Sequence, residues 1–77
     1  MSLYEFLRLE ELDQLEAFWN GVYVGERTEG HFVIECRQID DFYIEYTILG
    51  GHYIDVCGFK NPDLLQPYFN KMGRIDI

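Results

Sequence analysis

Residues 40–59, DDFYIEYTILGGHYIDVCGF, decide the fold, because two runs with strand character meet there at a double glycine. The runs, Phe42–Leu49 and His52–Phe59, are rich in aromatic and β-branched residues, which favour strands. Gly50-Gly51 between them is typical of a tight turn between antiparallel neighbours. Aromatic side chains occur on both faces of this predicted hairpin, although only one face of a small sheet can form the core. What the other face does is the main question that the sequence raises.

Two further strand-like runs, residues 22–27 and 31–38, precede this hairpin, and turn-forming residues separate the four runs. Connections this short join antiparallel neighbours, so we predict a four-stranded antiparallel meander. Helical patterns flank the strands, the first of them opening with a capping box at Ser2 and Glu5. Residues 1–77 are therefore expected to form one α+β domain, with the helices on one face of the sheet.

The two ends of the chain carry the helical patterns. Between residues 10 and 20 the apolar side chains recur at helical spacing, and they are Leu12, Leu15, Phe18 and Trp19. This pattern predicts an N-terminal helix with Trp19 in the core. Asn61-Pro62 begins a short C-terminal helix, which Pro67 is expected to split into two short turns or to kink. Residues 74–77 alternate enough to predict a short edge strand.

The register of the central hairpin determines which side chains of its second strand lie beside the core residue Ile44. A two-residue turn at Gly50-Gly51 would bury Asp55, whereas a three-residue loop would place Ile54 and Val56 in the core. Burial of each of these aliphatic side chains stabilises the fold by about 1.5–3 kcal/mol, and a buried carboxylate is costly. We therefore favour the three-residue loop.

With that loop, a bulge at Gly58 is expected to turn Phe59 back toward the core. The second face of the sheet then carries tyrosines among acidic residues, which suits an interface that stays soluble when bare. We predict a protein-binding surface there, formed by Tyr43, Glu45, Tyr53 and Asp55. The alternative is an ordinary solvent-exposed face, on which cross-strand pairs add stability.

The charge of the chain restricts its partners. Fourteen acidic and six basic residues give a formal net charge of −8. Nucleic-acid binding is disfavoured, because phosphate contacts need clustered Lys and Arg. The acidic excess fits solubility, or a surface that meets a basic protein or imitates nucleic acid. No leader-like pattern and no run of about 18 apolar residues occurs, so we predict a cytoplasmic protein with no membrane partner.

Two His-x4-Cys spacings, His31 to Cys36 and His52 to Cys57, raise the possibility of a zinc site. Five residues along a strand span about 16 Å and are an odd number, so each His and its Cys point to opposite faces. We therefore predict no metal and no cofactor, and expect both cysteines to be reduced thiols. No pattern orients a nucleophile or cradles a phosphate, which argues against an enzyme.

Five short segments together resemble a family of small bacterial proteins of the Bacteroidetes type. The segments are LYEF at 3–6, WNGV at 19–22, ER at 26–27, QIDDFYIE at 38–45 and LQPYF at 65–69. The resemblance covers nearly the whole chain and implies a free-standing cytoplasmic domain with no assigned activity. The Gly50-Gly51 turn is shorter than the connection usual in that family.

These observations favour a non-enzymatic interaction domain. We expect a small acidic regulator, adaptor or immunity-type partner that uses the tyrosine-rich sheet face to bind a protein or a second copy of itself. The alternative is a domain that binds a small molecule in a cleft between the helices and the sheet.

Overall fold

A computed structural model describes the backbone of residues 1–73 and the side chains of residues 1–69. The predicted edge strand at residues 74–77 lies outside this described part. The elements in chain order are α1 (Leu3–Leu7), α2 (Glu11–Trp19), β1 (Val22–Glu29), β2 (Phe32–Ile39), β3 (Phe42–Leu49), β4 (His52–Phe59), a 3-10 turn (Pro62–Leu65) and α3 (Gln66–Gly73). No helix among the described residues is long and apolar enough to cross a membrane.

The four strands form one antiparallel sheet in the order β1-β2-β3-β4. The predicted α+β class is confirmed, with its N-terminal helix, its four-stranded meander and its short C-terminal helix. The capping box at Ser2 is also present, since Ser2 Oγ accepts from the Glu5 N–H while the Glu5 carboxylate accepts from the Ser2 N–H. Pro67 falls in the first turn of α3, where its missing N–H costs no helical hydrogen bond.

All three hairpin loops are two residues long, because Glu29 pairs with Phe32, Ile39 with Phe42, and Leu49 with His52. The predicted three-residue loop after β3 is therefore wrong. Gly50 and Gly51 both have positive φ, 59° and 82°, as a two-residue type I′ turn requires. Such a turn matches the right-handed twist of the two strands that it joins.

A bulge at Ile54 allows the two-residue turn without burying Asp55 or exposing Val56. Ile48 pairs with Tyr53 and Thr47 with Asp55, so Ile54 is the extra residue on β4. The shift by one residue returns Val56 to the core face and leaves Ile54 48% exposed. The bulge expected at Gly58 is also wrong, because Gly58 pairs regularly with Ile44.

The first face of the sheet packs against α1 and α2. Its buried cluster consists of Phe6, Ala17, Phe18, Phe42, Ile44 and Val56. Gly58 lies directly beneath α1, where a β-carbon would come within 2.9 Å of Leu3 and 3.0 Å of Phe6. The sequence therefore has a glycine at this position because the helix approaches the strand closely, and the strand itself stays regular.

The second face of the sheet packs against the C-terminal segment. Its buried cluster is Cys36, Leu65 and Tyr68, and Val24, Tyr43 and Phe59 pack around it. The prediction that all helices lie on one face is therefore wrong in this respect. Tyr43 on β3 and Phe59 on β4 present aromatic rings to the second face, and the 3-10 turn and α3 pack on this side, which α1 and α2 leave free.

Trp19 is not a core residue, contrary to the expectation from helical spacing. It is 53% exposed, whereas Phe18 beside it is fully buried. The Trp19 ring instead makes edge contacts with Phe18 and Tyr46, at centroid distances of 5.0 and 5.4 Å. The last turn of α2 thus contributes Phe18 to the core and Trp19 to the surface.

Candidate protein-binding surface

The four side chains predicted to form a partner-binding surface do not lie together. Tyr43, Glu45 and Asp55 are on the second face, as their pairing with Phe59, Cys57 and Thr47 requires. Tyr53 lies on the first face, because the bulge at Ile54 reverses its direction.

The Tyr53 ring stacks on Tyr46 at 5.4 Å, and its hydroxyl donates to the Glu11 carboxylate at 2.7 Å. Loss of solvent contact and this carboxylate raise the pKa of the Tyr53 hydroxyl above its usual range. Tyr53 therefore anchors α2 to the sheet.

Glu45 lies under the C-terminal segment and is the centre of a polar network. The Tyr68 hydroxyl donates to Glu45 Oε2 at 2.6 Å, and Arg27 Nη2 approaches the same oxygen at 3.4 Å. The Arg27 guanidinium also sits 5.5 Å from the centre of the Tyr68 ring. Burial and the Glu45 carboxylate raise the pKa of the Tyr68 hydroxyl, which stays protonated as a donor. Glu45 is thus committed to contacts within the domain.

The two cysteines flank Glu45 on neighbouring strands, since Glu45 pairs with Cys36 on one side and Cys57 on the other. Burial, followed by the nearby Glu45 carboxylate, raises the pKa of the Cys36 thiol to about 12. Partial loss of solvent contact, followed by the Glu45 carboxylate, also raises the pKa of the Cys57 thiol, although this residue is exposed. Neither thiol is activated as a nucleophile. The described residues contain no group of three or more His, Cys, Asp or Glu side chains placed to hold a metal ion.

A different part of the sheet leaves aromatic side chains exposed. α2 packs over β2, β3 and β4, and α3 contacts β1 from the second face, so no element described within residues 1–73 covers the β1 side of the first face. A bulge between Tyr23 and Gly25 places one extra residue, Val24, on β1. Val24 packs with the second-face cluster, so Tyr23 and Glu26 both point to the first face although they are three positions apart. Tyr23 is 57% exposed there.

Arg37 connects this open area to Trp19. Tyr23 pairs directly with Arg37 across β1 and β2. Arg37 Nη1 donates to the carbonyl oxygens of Trp19 and Gly21, at 3.3 and 3.4 Å. Its guanidinium lies 5.1 Å from the Trp19 ring centre, and its Nε donates to Glu35 at 2.7 Å. These contacts hold the Trp19 ring beside β1, and they engage the guanidinium of Arg37 within the domain.

Two carboxylates complete the surface. Glu26 and Glu35 are direct cross-strand partners on the first face, an arrangement of like charges that destabilises a sheet. Arg37 balances Glu35, whereas Glu26 is exposed and forms no hydrogen bond or ion pair with any side chain described through residue 69. We call this surface, formed by Trp19, Tyr23, Glu26, Glu35 and Arg37, the β1–β2 patch.

Sequence reasoning missed the β1–β2 patch for a local reason. Tyr23 and Glu26 share a face only because β1 contains the Val24 bulge, and strict alternation would have separated them. The one available signal was Gly25, since a glycine inside a strand often marks a bulge or a close approach. Both occur here, because a β-carbon on Gly25 would lie 3.2 Å from the Tyr68 ring.

Comparisons with protein-family models, with curated proteins and with solved structures gave no significant match to this chain.

Proposed function

We propose that this chain is a non-enzymatic, acidic protein-interaction domain that binds its partner through the β1–β2 patch. The observation that carries the proposal is that Trp19 and Tyr23, both more than half exposed, are held on one face around Arg37. Trp, Tyr and Arg are the residues most enriched among those that dominate binding energy at protein interfaces. This patch contains all three.

The rigidity of the patch supports a binding role. The Trp19 ring touches Phe18, Tyr46 and Arg37, so little side-chain entropy remains to be lost on association. Tyr23 sits on a strand that is paired along its inner edge, so its backbone is ordered before a partner arrives. An interface of standard size buries about 800 Å² per partner, so the contact would extend beyond the patch over α2 and the rest of β1.

Tyr43 and Tyr53, the tyrosines predicted from the sequence to bind a partner, stabilise the fold instead. Tyr43 stacks on Phe59 at 5.4 Å under the C-terminal segment, and Tyr53 holds α2. Replacing them would therefore disturb the fold before it disturbed an interface. We therefore assign the binding role to Trp19 and Tyr23, whose side chains are more than half exposed.

The experiment compares three forms of the full chain as immobilised bait for proteins of the source cell. The first is wild type, the second carries Trp19→Ala with Tyr23→Ala, and the third carries Tyr4→Ala with Ile54→Ala. The third is the control, because it also removes two exposed large hydrophobic side chains, Tyr4 on α1 and Ile54 on the opposite edge of the sheet.

We expect one defined protein to be retained by wild type and by the control variant, and to be lost from the patch variant. Loss of about 2 kcal/mol or more of binding energy corresponds to a weakening of roughly thirtyfold or more. Equal retention by all three forms would contradict the proposal. Thermal unfolding of each variant confirms that the bait is folded.

A further inference from the structure

In the part of the chain that the structure describes, no segment pairs with the outer edge of β1, which lies beside the β1–β2 patch. β1 is a terminal strand of the sheet, with β2 on its inner side. Within the described residues, no hydrogen bond other than those of the sheet itself involves a backbone group of residues 22–29. An unpaired strand edge is a template on which an extended segment can form a further strand.

The other edge of the sheet is less suitable. Both edge strands carry a helix on one face, α1 on β4 and α3 on β1 at Gly25, but on β4 the exposed Ile54 bulge also lies in the middle of the strand. Bulges interrupt pairing, and they protect natural edges. On β1 the bulge lies at Val24, near the start of the strand, so residues 25–29 pair regularly with β2 and leave a regular outer edge of about 16 Å.

Charge specifies what this edge would accept. Glu26 is the first-face side chain in the middle of β1, and Glu35 lies directly behind it on β2. A side chain on an added strand would stand about 4.5–5.5 Å from Glu26 at its β-carbon. A Lys or Arg there would give Glu26 the cationic partner that Glu35 already has in Arg37, whereas a second copy of this chain, with a net charge of −8, would add negative charge.

Resting on the proposed function, we propose that the partner contributes an extended, basic segment that pairs with the outer edge of β1 as a fifth strand. Its alternate Lys or Arg side chains face Glu26 and the rings of Tyr23 and Trp19. These rings add cation–π attraction to the ion pair. The backbone hydrogen bonds supply affinity, and the carboxylate with the two rings supplies the preference for basic residues.

The test uses three synthetic peptides that alternate Lys and Val over nine residues, with blocked ends. One has an unmodified backbone, one is N-methylated at the Lys residues, and one is N-methylated at the Val residues. Composition and charge are the same in all three. In a strand, alternate N–H groups point to opposite sides, so the two methylated peptides block opposite edges.

Binding is followed by the fluorescence of Trp19, which is the single tryptophan of the chain, and by amide shifts in NMR spectra. We expect saturable binding of the unmodified peptide, with the shifted amides concentrated in residues 22–29. One methylated peptide should lose about tenfold or more in affinity, and the other should stay close to the unmodified one. Equal binding of both, or no binding of any peptide, would overturn the inference.

A pair of charge variants separates a specific site from general attraction to an acidic protein. Glu26→Lys and Asp55→Lys change the net charge by the same amount, and both side chains are exposed. We expect Glu26→Lys to weaken the unmodified peptide about tenfold or more, and Asp55→Lys to change it less than threefold. Equal losses from the two variants would also overturn the inference.

These outcomes remain distinct from those of the proposed function. If a cellular protein is captured through Trp19 and Tyr23 while both methylated peptides bind alike, the interaction domain stands and edge pairing fails. If the capture does not depend on Trp19 and Tyr23, the proposed function itself fails.

Discussion

The hydroxyl of Tyr68 donates a 2.6 Å hydrogen bond to the Glu45 carboxylate, and this contact ties α3 to the middle of the sheet. Glu45 would otherwise be a half-buried charge on an apolar face, with Arg27 as its other partner. The C-terminal segment thus does two things at once, since Leu65 and the Tyr68 ring bury the second face while the Tyr68 hydroxyl satisfies the acid within it.

Tyr68→Phe removes this hydrogen bond and keeps the ring. A hydrogen bond to a charged group contributes about 1.5–3 kcal/mol, so we expect the free energy of unfolding to fall by roughly that amount. Tyr4→Phe is the control, because the Tyr4 side chain is largely exposed and its hydroxyl forms no hydrogen bond within the described residues. Urea unfolding of both variants measures the difference, and equal stability would show that Glu45 does not depend on Tyr68.

Trp19 and Phe18 are neighbours in sequence with opposite environments, and their alanine variants should differ in stability. Phe18 is fully buried, so Phe18→Ala should cost about 3–5 kcal/mol and unfold most of a domain this small. Trp19→Ala removes a half-exposed ring and should leave a cooperative thermal transition, with a loss of about 1–2 kcal/mol. If Trp19→Ala proves as damaging as Phe18→Ala, the ring carries more of the core than its exposure indicates.

The strand positions and the helix-flanked meander could be read from the sequence, because each strand has strong β-forming residues and each loop has turn residues. The hairpin register could not be read. With strict alternation, a two-residue Gly50-Gly51 turn would expose Val56. The chain has this turn and still buries Val56, because a bulge at Ile54 shifts the strand by one residue. The position of a bulge depends on packing across the sheet, and no local residue pattern at Ile54 predicts it.

The candidate site was missed for the same reason. The side chains named from alternation were divided between two faces by the β4 bulge, and the exposed pair Tyr23 and Glu26 was brought together by the β1 bulge. The packing of the C-terminal segment on the second face could not be predicted either, since the helical pattern that contains Leu65 and Tyr68 could have packed on either face. Contacts between residues that are distant in sequence determine these features, and the periodicity of apolar residues does not predict such contacts.

Alkaline pH should destabilise the fold through Cys36. Its pKa is about 12 in the folded chain, against 9.0 for an ordinary thiol. Between pH 9 and 12 the unfolded state therefore loses this proton while the folded state keeps it, so stability falls as pH rises and is fully retained below pH 9. The raised pKa values of Tyr53 and Tyr68 act in the same direction from about pH 10 upward.

The contribution of Cys36 can be isolated by measuring the free energy of unfolding against pH for wild type and Cys36→Ala. One proton corresponds to a slope of at most about 1.4 kcal/mol per pH unit. We expect the slope between pH 9.5 and 11 to be shallower in the variant by up to that amount, whatever its stability at neutral pH. Parallel curves would mean that the thiol ionises with the same pKa in both states.

Gly58 and Gly25 support the two sides of the sheet, and their alanine variants should differ in severity. A β-carbon at Gly58 would meet Leu3 at 2.9 Å and two atoms of the fully buried Phe6 ring at 3.0 Å. We expect Gly58→Ala to push α1 away from β4, at a cost of about 1–3 kcal/mol. At Gly25 the nearest atom belongs to the Tyr68 ring at 3.2 Å, so the ring needs to shift by only a few tenths of an ångström. Gly25→Ala should therefore cost less, and it should perturb the NMR signals of α3 while Gly58→Ala perturbs those of α1. If Gly58→Ala is as stable as wild type, α1 does not pack on β4 as closely as described.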